Sequence, residues 1–433
     1  MTDFIFLDPG ADVTRRDIYR LGRDLGMRIV LVSRDLGWEA EHIDDWVEAD
    51  PTNPDDVLAA LAARRAPAGV VNCSESCLMA AAAVTGHYRL PGLSMRVARR
   101  CRDKVLMGER LAAAGVPMAR RRVVTDARQA QAAAREIGPD VVLKPSTGVA
   151  SLFTIQTHAG QIGDLLHRFN AMLAARSPAP LREMGGRWLV EEYLAGPAFS
   201  VESVVTGGAA RHLAICEKAP LSGPYFRELG HSTPPRLSTA GQATLTKLTG
   251  QAVAALEISD CVTHTEFKWT AGGPRLLEVG ARMGGGSIRQ VVRHATGVDL
   301  AMVTLELAMG RTPAPRPHNG QASASRSLYP SRAGRVGRLP TEELARLPGI
   351  IAVNRWLGEG DTYLLPPDGY REVLGVVAAG ADADKAIRTA EAAIAFADRM
   401  NVIQTVPESW RLSMAKNVTA RSLKCLNSIH RCC

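Results

Sequence analysis

The sequence predicts an α/β protein. Its first part reads as a doubly wound parallel sheet, followed by an α+β central part and a small C-terminal α+β domain. Three observations carry that expectation. The first hundred residues alternate buried-strand and helix signals, residues 264–286 read as an acidic hairpin ending in glycines, and residues 311–319 form a Pro-rich break after which strand and helix signals resume.

Taken in order, DFIFLDPG (3–10) gives a strand and turn, residues 15–25 a helix, and MRIVLVSR (27–34) a second buried strand. An Ala/Leu-rich helix over 54–63 leads to AGVVNCSE (68–75), a third strand. Strands alternating with helices of this length indicate a parallel sheet. The turn after the first strand, DPGADV, has one glycine instead of the Gly-rich dinucleotide fingerprint, so this unit is not expected to bind its own nucleotide. It ends near LPGLS, at residue 94.

Residues 99–115 read as one helix carrying Asp103 and Lys104, and GVPMARRRVV turns it into a strand. Residues 126–137 form an Ala-rich helix stopped by Gly138-Pro139. VVLK (141–144) and LFTIQT (152–157) are strands around a loop of small residues, 146–151. Such a loop can fold over phosphates and present backbone N–H groups, with Lys144 as a point charge, although Ser/Gly hairpins are also commonplace. RWLVEEYL (187–194) is a strand, and 199–205 and 212–217 continue a sheet. Residues 223–237 form a Pro- and Gly-rich loop long enough to be functional. Helices follow the acidic hairpin at 287–295 and 299–309. Beyond the Pro-rich break, strands near 351–356 and 373–379 and a helix over 385–400 complete the pattern, and 407–433 reads as a polar, basic tail. The expected units are therefore 1–94, 95–310, 320–405 and a tail, 406–433.

Composition narrows the function. The 433 residues exceed one compact core, and 46% hydrophobic with 22% charged residues is ordinary for globular proteins. The net charge of +8 is diffuse, a weak argument for nucleic acid that fits equally well the handling of anionic nucleotides or an Arg-rich proteome, and 5% aromatic residues give no base-stacking platform. No apolar run approaches the roughly 20 residues that span a bilayer, and MTDFIFLDPG lacks the charged n-region and long h-region expected of a signal peptide. The eight cysteines match no zinc or disulfide framework, and a cytoplasmic setting is expected.

The acidic hairpin is the richest signal. An antiparallel register about the Ala-Gly-Gly-Pro turn sets Glu266 and Glu278 opposite each other on one face. Like charges across a strand pair are destabilising, and a divalent cation between them removes that cost. Mg²⁺ is commonly held by one or two carboxylates plus substrate phosphates. Arg282 and Gly284, Gly285 and Gly286 follow, letting the backbone approach a ligand. Alone, the two glutamates read more readily as a solvated surface pair.

The ordered series LPGLS…RDK, VVLKPSTGVAS, WLVEEYLAG…FSVES, GHSTPP and HTEFKWT…GPRLLEVGARMGGG resembles the ATP-grasp superfamily. Within it the series is most similar to carboxylate–amine ligases of the L-amino-acid ligase type, which make dipeptides. The resemblance covers roughly residues 3–403 and implies an ATP-grasp fold with a C-terminal lid domain. It implies Lys104 and Lys144 on the ATP phosphates, with Ser146, Thr147, Gly148 and Ser151 in the flap over them. Glu191, Glu192, Tyr193 and Leu194 would meet the adenine. Glu266 and Glu278 would hold Mg²⁺, or Mn²⁺ in its place. Arg282 would sit at the transferring phosphoryl group and His231 at the amino-acid pocket. Catalysis would rest on Arg282 and Lys144.

Two departures from the family pattern stand out. Gly280 replaces an Asn common two residues after the second metal Glu, and Ala198 replaces a ribose-contacting Glu. The implied partners are ATP and small acids and amines, without nucleic acid or membrane, and with a homodimer as one admissible assembly. The competing readings are a purine- or biotin-carboxylase-type enzyme acting on another small acid or bicarbonate, and a nucleotide-binding module without turnover.

Overall fold

The computed structural model describes residues 2–8, 15–148, 151–175, 186–221, 223–317 and 320–404. The expected tail and residues 149–150 of the small-residue loop lie outside the described residues.

The N-terminal unit is a four-stranded parallel sheet in the spatial order Asp45–Glu48, Arg28–Ser33, Asp3–Leu7, Gly69–Asn72. Ile29, Val30, Leu31 and Val32 are each at most 1% exposed, as a parallel sheet covered on both faces requires. The sequence reading has no strand at Asp45–Glu48. As an edge strand its DWVE run is largely only part-buried, so no apolar signal marks it.

The helix expected over 99–115 is two helices, Met95–Arg102 and Lys104–Ala113. Asp103 breaks it by leaving helical geometry (φ −99°, ψ 108°) and accepting hydrogen bonds from the Val105 and Leu106 N–H groups. The break sets Lys104 at the first position of the second helix. There its N–H donates to the Ser146 carbonyl at 2.8 Å, tying helix to flap.

The next unit is a four-stranded antiparallel sheet, Arg121–Val124, Trp188–Glu192, Asp140–Pro145 and Ile155–His158 in spatial order. The helices Ala127–Ile137 and Ile162–Ala175 share its core, built on Phe153, Phe169 and Trp188. Asp126 caps the first helix and Gly138, at φ +150°, ends it.

The largest sheet has eight strands, all neighbours antiparallel. The order is Gly273–Gly280, Cys261–Thr270, Ala198–Thr206, Ala209–Lys218, His231–Thr233, Ala322–Leu328, Leu374–Gly380, Ile350–Arg355. It runs without interruption across the Pro-rich segment, so the C-terminal strands extend the sheet that carries the acidic hairpin. The strand His231–Thr233, inside the expected 223–237 loop, joins the two halves. An 18-residue helix, Thr239–Leu256, absent from the sequence reading, covers one face with Leu245, Leu248 and Leu256. Its Thr, Gly and Ala content dilutes the apolar period that would have marked it.

Candidate active site

The acidic hairpin has the register its turn implies. Glu266 pairs with Glu278, and a bulge follows between Glu266 and Phe267. Bulges re-aim side chains. Both glutamates border a cavity of about 370 Å³, within the usual range for small-molecule sites.

Each acidic residue meets a lysine. Lys104 Nζ is 3.0 Å from Glu278 Oε1, and Lys218 Nζ is 2.9 Å from Glu266 Oε2. Lys218 is almost fully buried and also pairs with Glu228. Burial opposes its charge, but Glu228 and Glu266 outweigh burial and raise its pKa. Glu278 is held below its ordinary range because Lys104 overcomes the penalty of burial. Glu266 is held well below its range, burial being overcome by Lys218 and His264.

Behind Glu266 lies a buried chain. His264 Nε2 is 2.9 Å from Glu266 Oε1, and His264 Nδ1 is 2.6 Å from Glu202 Oε1, which also accepts from Ser200 Oγ at 2.9 Å. Glu202 is 0% exposed. Burial disfavours an imidazolium here, yet the Glu202 and Glu266 carboxylates prevail and raise His264 to about 9.

Lys144 and Glu191 form a further ion pair, 2.7 Å apart and buried. Glu192 is more open and pairs with Arg120 at 3.2 Å. All four residues expected at the adenine, Glu191, Glu192, Tyr193 and Leu194, border the cavity, as do Gly148 and Ser151. Ser146 and Thr147 do not. The Ser146 side chain is buried, while its N–H donates to the Arg187 carbonyl and its carbonyl accepts from Lys104. Ala198 borders the cavity at the expected ribose position.

Arg282 donates to the Met283 carbonyl at 2.8 Å, and its Nε lies 3.2 Å from Glu75 Oε2. Glu75 comes from the N-terminal unit and is also 3.7 Å from Arg102. A Cβ on Gly280 would stand 3.4 Å from Glu75 Oε2, so the missing Asn side chain leaves room that the Glu75 carboxylate approaches. His231 lies in the joining strand, with Nε2 3.6 Å from Glu228 Oε2. Burial pushes His231 down to about 4, so it is neutral at pH 7.

Sequence reasoning missed Glu75, Lys218, Glu228 and the role of His264, and gave no role to Glu202. One signal was available, since His264 and Glu266 are two apart on a strand and therefore share a face. Among the described residues, no three His, Cys, Asp or Glu side chains converge as a metal cage. Two cross-strand carboxylates, each already beside a cation, fit Mg²⁺ shared with nucleotide oxygens.

A family model described as an ATP-grasp domain matches residues 137–290. That span, under half of the chain, is similar to an ATP-grasp domain. Among curated relatives, an uncharacterized protein of Sinorhizobium fredii is 29% identical over 321 residues, 72% of this chain and 63% of that protein. Alanine–anticapsin ligase of Bacillus subtilis is 26% identical over 302 residues, 64% of this chain and 62% of that enzyme. The chain thus spans under two thirds of the length of these relatives. The crystal structure of an L-amino acid ligase from Bacillus licheniformis matches with a TM-score of 0.79 at 18% identity, covering 90% of this chain and 97% of that one. This is the ATP-grasp fold, as the sequence resemblance implied. No helix among the described residues is long and apolar enough to cross a membrane.

Proposed function

We propose that this chain is an ATP-dependent carboxylate–amine ligase that joins amino acids or related acids and amines, releasing ADP and phosphate. The observation that carries the reading is the convergence of Lys104, Lys144, Lys218, Arg282, Glu266 and Glu278 on one cavity bordered by a hinge strand. The similarity to alanine–anticapsin ligase supports an amino acid as one substrate.

A carboxylate is a poor acyl donor at neutral pH. Transfer of the ATP γ-phosphoryl to its oxygen gives an acyl-phosphate and ADP. Attack of an amine on the acyl carbon then forms the amide, expels phosphate and releases the amine proton. Phosphoryl transfer asks the protein for positioning and charge neutralisation. Lys104 and Lys144 supply fixed positive charge toward the phosphates, and Arg282, held by Glu75, presents its guanidinium to the transferring group. Glu266 and Glu278 would hold Mg²⁺, which when bound neutralises phosphate charge. The segment to which Gly148 and Ser151 belong, both bordering the cavity, would exclude water from the acyl-phosphate. The neutral His231 adds no positive charge against an incoming ammonium group.

Incubation with ATP, Mg²⁺ and mixed amino acids, with separation of nucleotides and mass spectrometry of products, tests the reading. ADP and phosphate in equal amounts, with a dipeptide or amide, is the expected result. AMP as the main nucleotide product, or ADP release dependent on bicarbonate alone, overturns it.

A further inference from the structure

We propose that Glu202 and His264 are positioning residues that act through Glu266, fixing how that carboxylate is presented to a divalent cation.

The inference starts from an expense. A carboxylate with no solvent exposure is costly unless paired and hydrogen-bonded. Glu202 nevertheless sits inside the largest sheet at 0% exposure, with Oε2 lacking a hydrogen-bond partner. An apolar residue would pack the strand interior without that cost. The register explains what the charge is set against. Glu202 pairs with His264 and Ser200 with Glu266 across adjacent strands, so all four side chains share one face.

The geometry has a direction. Ser200 Oγ and His264 Nδ1 both converge on Glu202 Oε1, at 2.9 and 2.6 Å. With Nδ1 committed to Glu202, the imidazole has one orientation, and Nε2 reaches Glu266 Oε1 at 2.9 Å. Lys218 holds the other oxygen, Oε2, at 2.9 Å. Glu266 is therefore gripped at both oxygens, whereas Glu278 has its lysine on Oε1. Gly284 closes the arrangement, since a Cβ there would stand 3.0 Å from Glu202 Oε2 and 2.8 Å from Ile288. Partners behind a ligating carboxylate set its orientation, and their loss typically costs about 10–100-fold in metal affinity.

The proposal rests on Glu266 being a metal ligand, and the test separates the two claims. Mn²⁺ is titrated into the full-length protein with ADP while free Mn²⁺ is followed by electron paramagnetic resonance. ADP affinity without metal and the melting temperature are measured alongside. Glu202→Gln and His264→Phe are each expected to weaken Mn²⁺ binding by about 10–100-fold while leaving metal-free ADP affinity unchanged. Because Glu202 acts through His264, the double variant is expected to bind Mn²⁺ no more weakly than His264→Phe alone. Should His264→Phe fail to fold, Glu202→Gln, which preserves volume, carries the test. Wild-type Mn²⁺ affinity in a folded Glu202→Gln, or additive effects in the double variant, overturns the proposal when Glu266→Gln abolishes Mn²⁺ binding. Undiminished Mn²⁺ binding in Glu266→Gln instead overturns the metal assignment, and the positioning role with it.

Discussion

The two principal sheets reach the same cavity in opposite ways. The parallel N-terminal sheet is apolar on both faces and, among the described residues, offers the site only what lies beyond its strand bodies: Arg15, Ile18, and Cys73 and Glu75 just past the carboxyl end of Gly69–Asn72. The eight-stranded antiparallel sheet contributes from within its strands, where Lys218, His231, His264, Glu266 and Glu278 all border the cavity. Along Ala198–Thr206 the alternation is visible: Phe199, Val201 and Val205 pack beneath the long helix, while Ser200 and Glu202 face the histidine. A parallel sheet covered on both sides has no face free for chemistry, so its ends carry the chemistry. An antiparallel sheet can give one face to polar groups, provided they pair with one another.

If that contrast is right, charge changes in the antiparallel sheet are the most damaging. Glu278→Gln keeps shape and removes charge beside Lys104. Turnover measured as ADP release is expected to fall by about 10²–10³, the usual cost of losing one preorganised electrostatic contact at a transition state. Circular dichroism should remain that of the wild type. Wild-type turnover in this variant breaks the comparison at its strongest point.

The parallel sheet's contribution is expected to be smaller and to run through one residue. Glu75→Gln weakens the hold on Arg282, seen at 3.2 Å. Losing a partner that orients a site residue typically costs about 10–100-fold, and a loss of that size is expected in kcat/KM. An effect as large as that of Glu278→Gln would mean that Glu75 meets the substrates directly, and the two sheets would then differ less than drawn here.

The same contrast governs what the sequence could reveal. Local patterns were legible. The hairpin turn set Glu266 against Glu278, and strand signals put Lys144 and Glu191 each on a strand, which the structure pairs as neighbours. What needed a third dimension was not legible. Glu75 belongs to another unit and meets Arg282 only after folding. Glu202 reads as an ordinary polar residue of a strand and Lys218 falls just past the end of one, since nothing local marks a charge as buried. The break before Lys104 hung on a single capping Asp103 inside an unbroken helical period. The sheet's continuation past residues 311–319 was hidden because antiparallel neighbours distant in sequence leave no periodic trace at the join.

His231 supplies the smallest and most discriminating test, because it lies at the strand that joins the two halves of the large sheet. Burial depresses its pKa from 6.5 to about 4, with Glu228 opposing the shift and Lys218 and His264 reinforcing it. Between those values the unfolded chain binds a proton that the folded chain refuses. The stability due to the neutral imidazole is therefore complete above about pH 6.5 and is lost as pH falls toward 4. One proton corresponds to a slope of about 1.4 kcal/mol per pH unit. Urea unfolding of the ligand-free protein across this window should show that much less acid sensitivity in His231→Gln than in the wild type. Equal slopes would mean that His231 becomes protonated in the folded state, and a positive charge would then stand beside Glu228 where the proposed amine must approach.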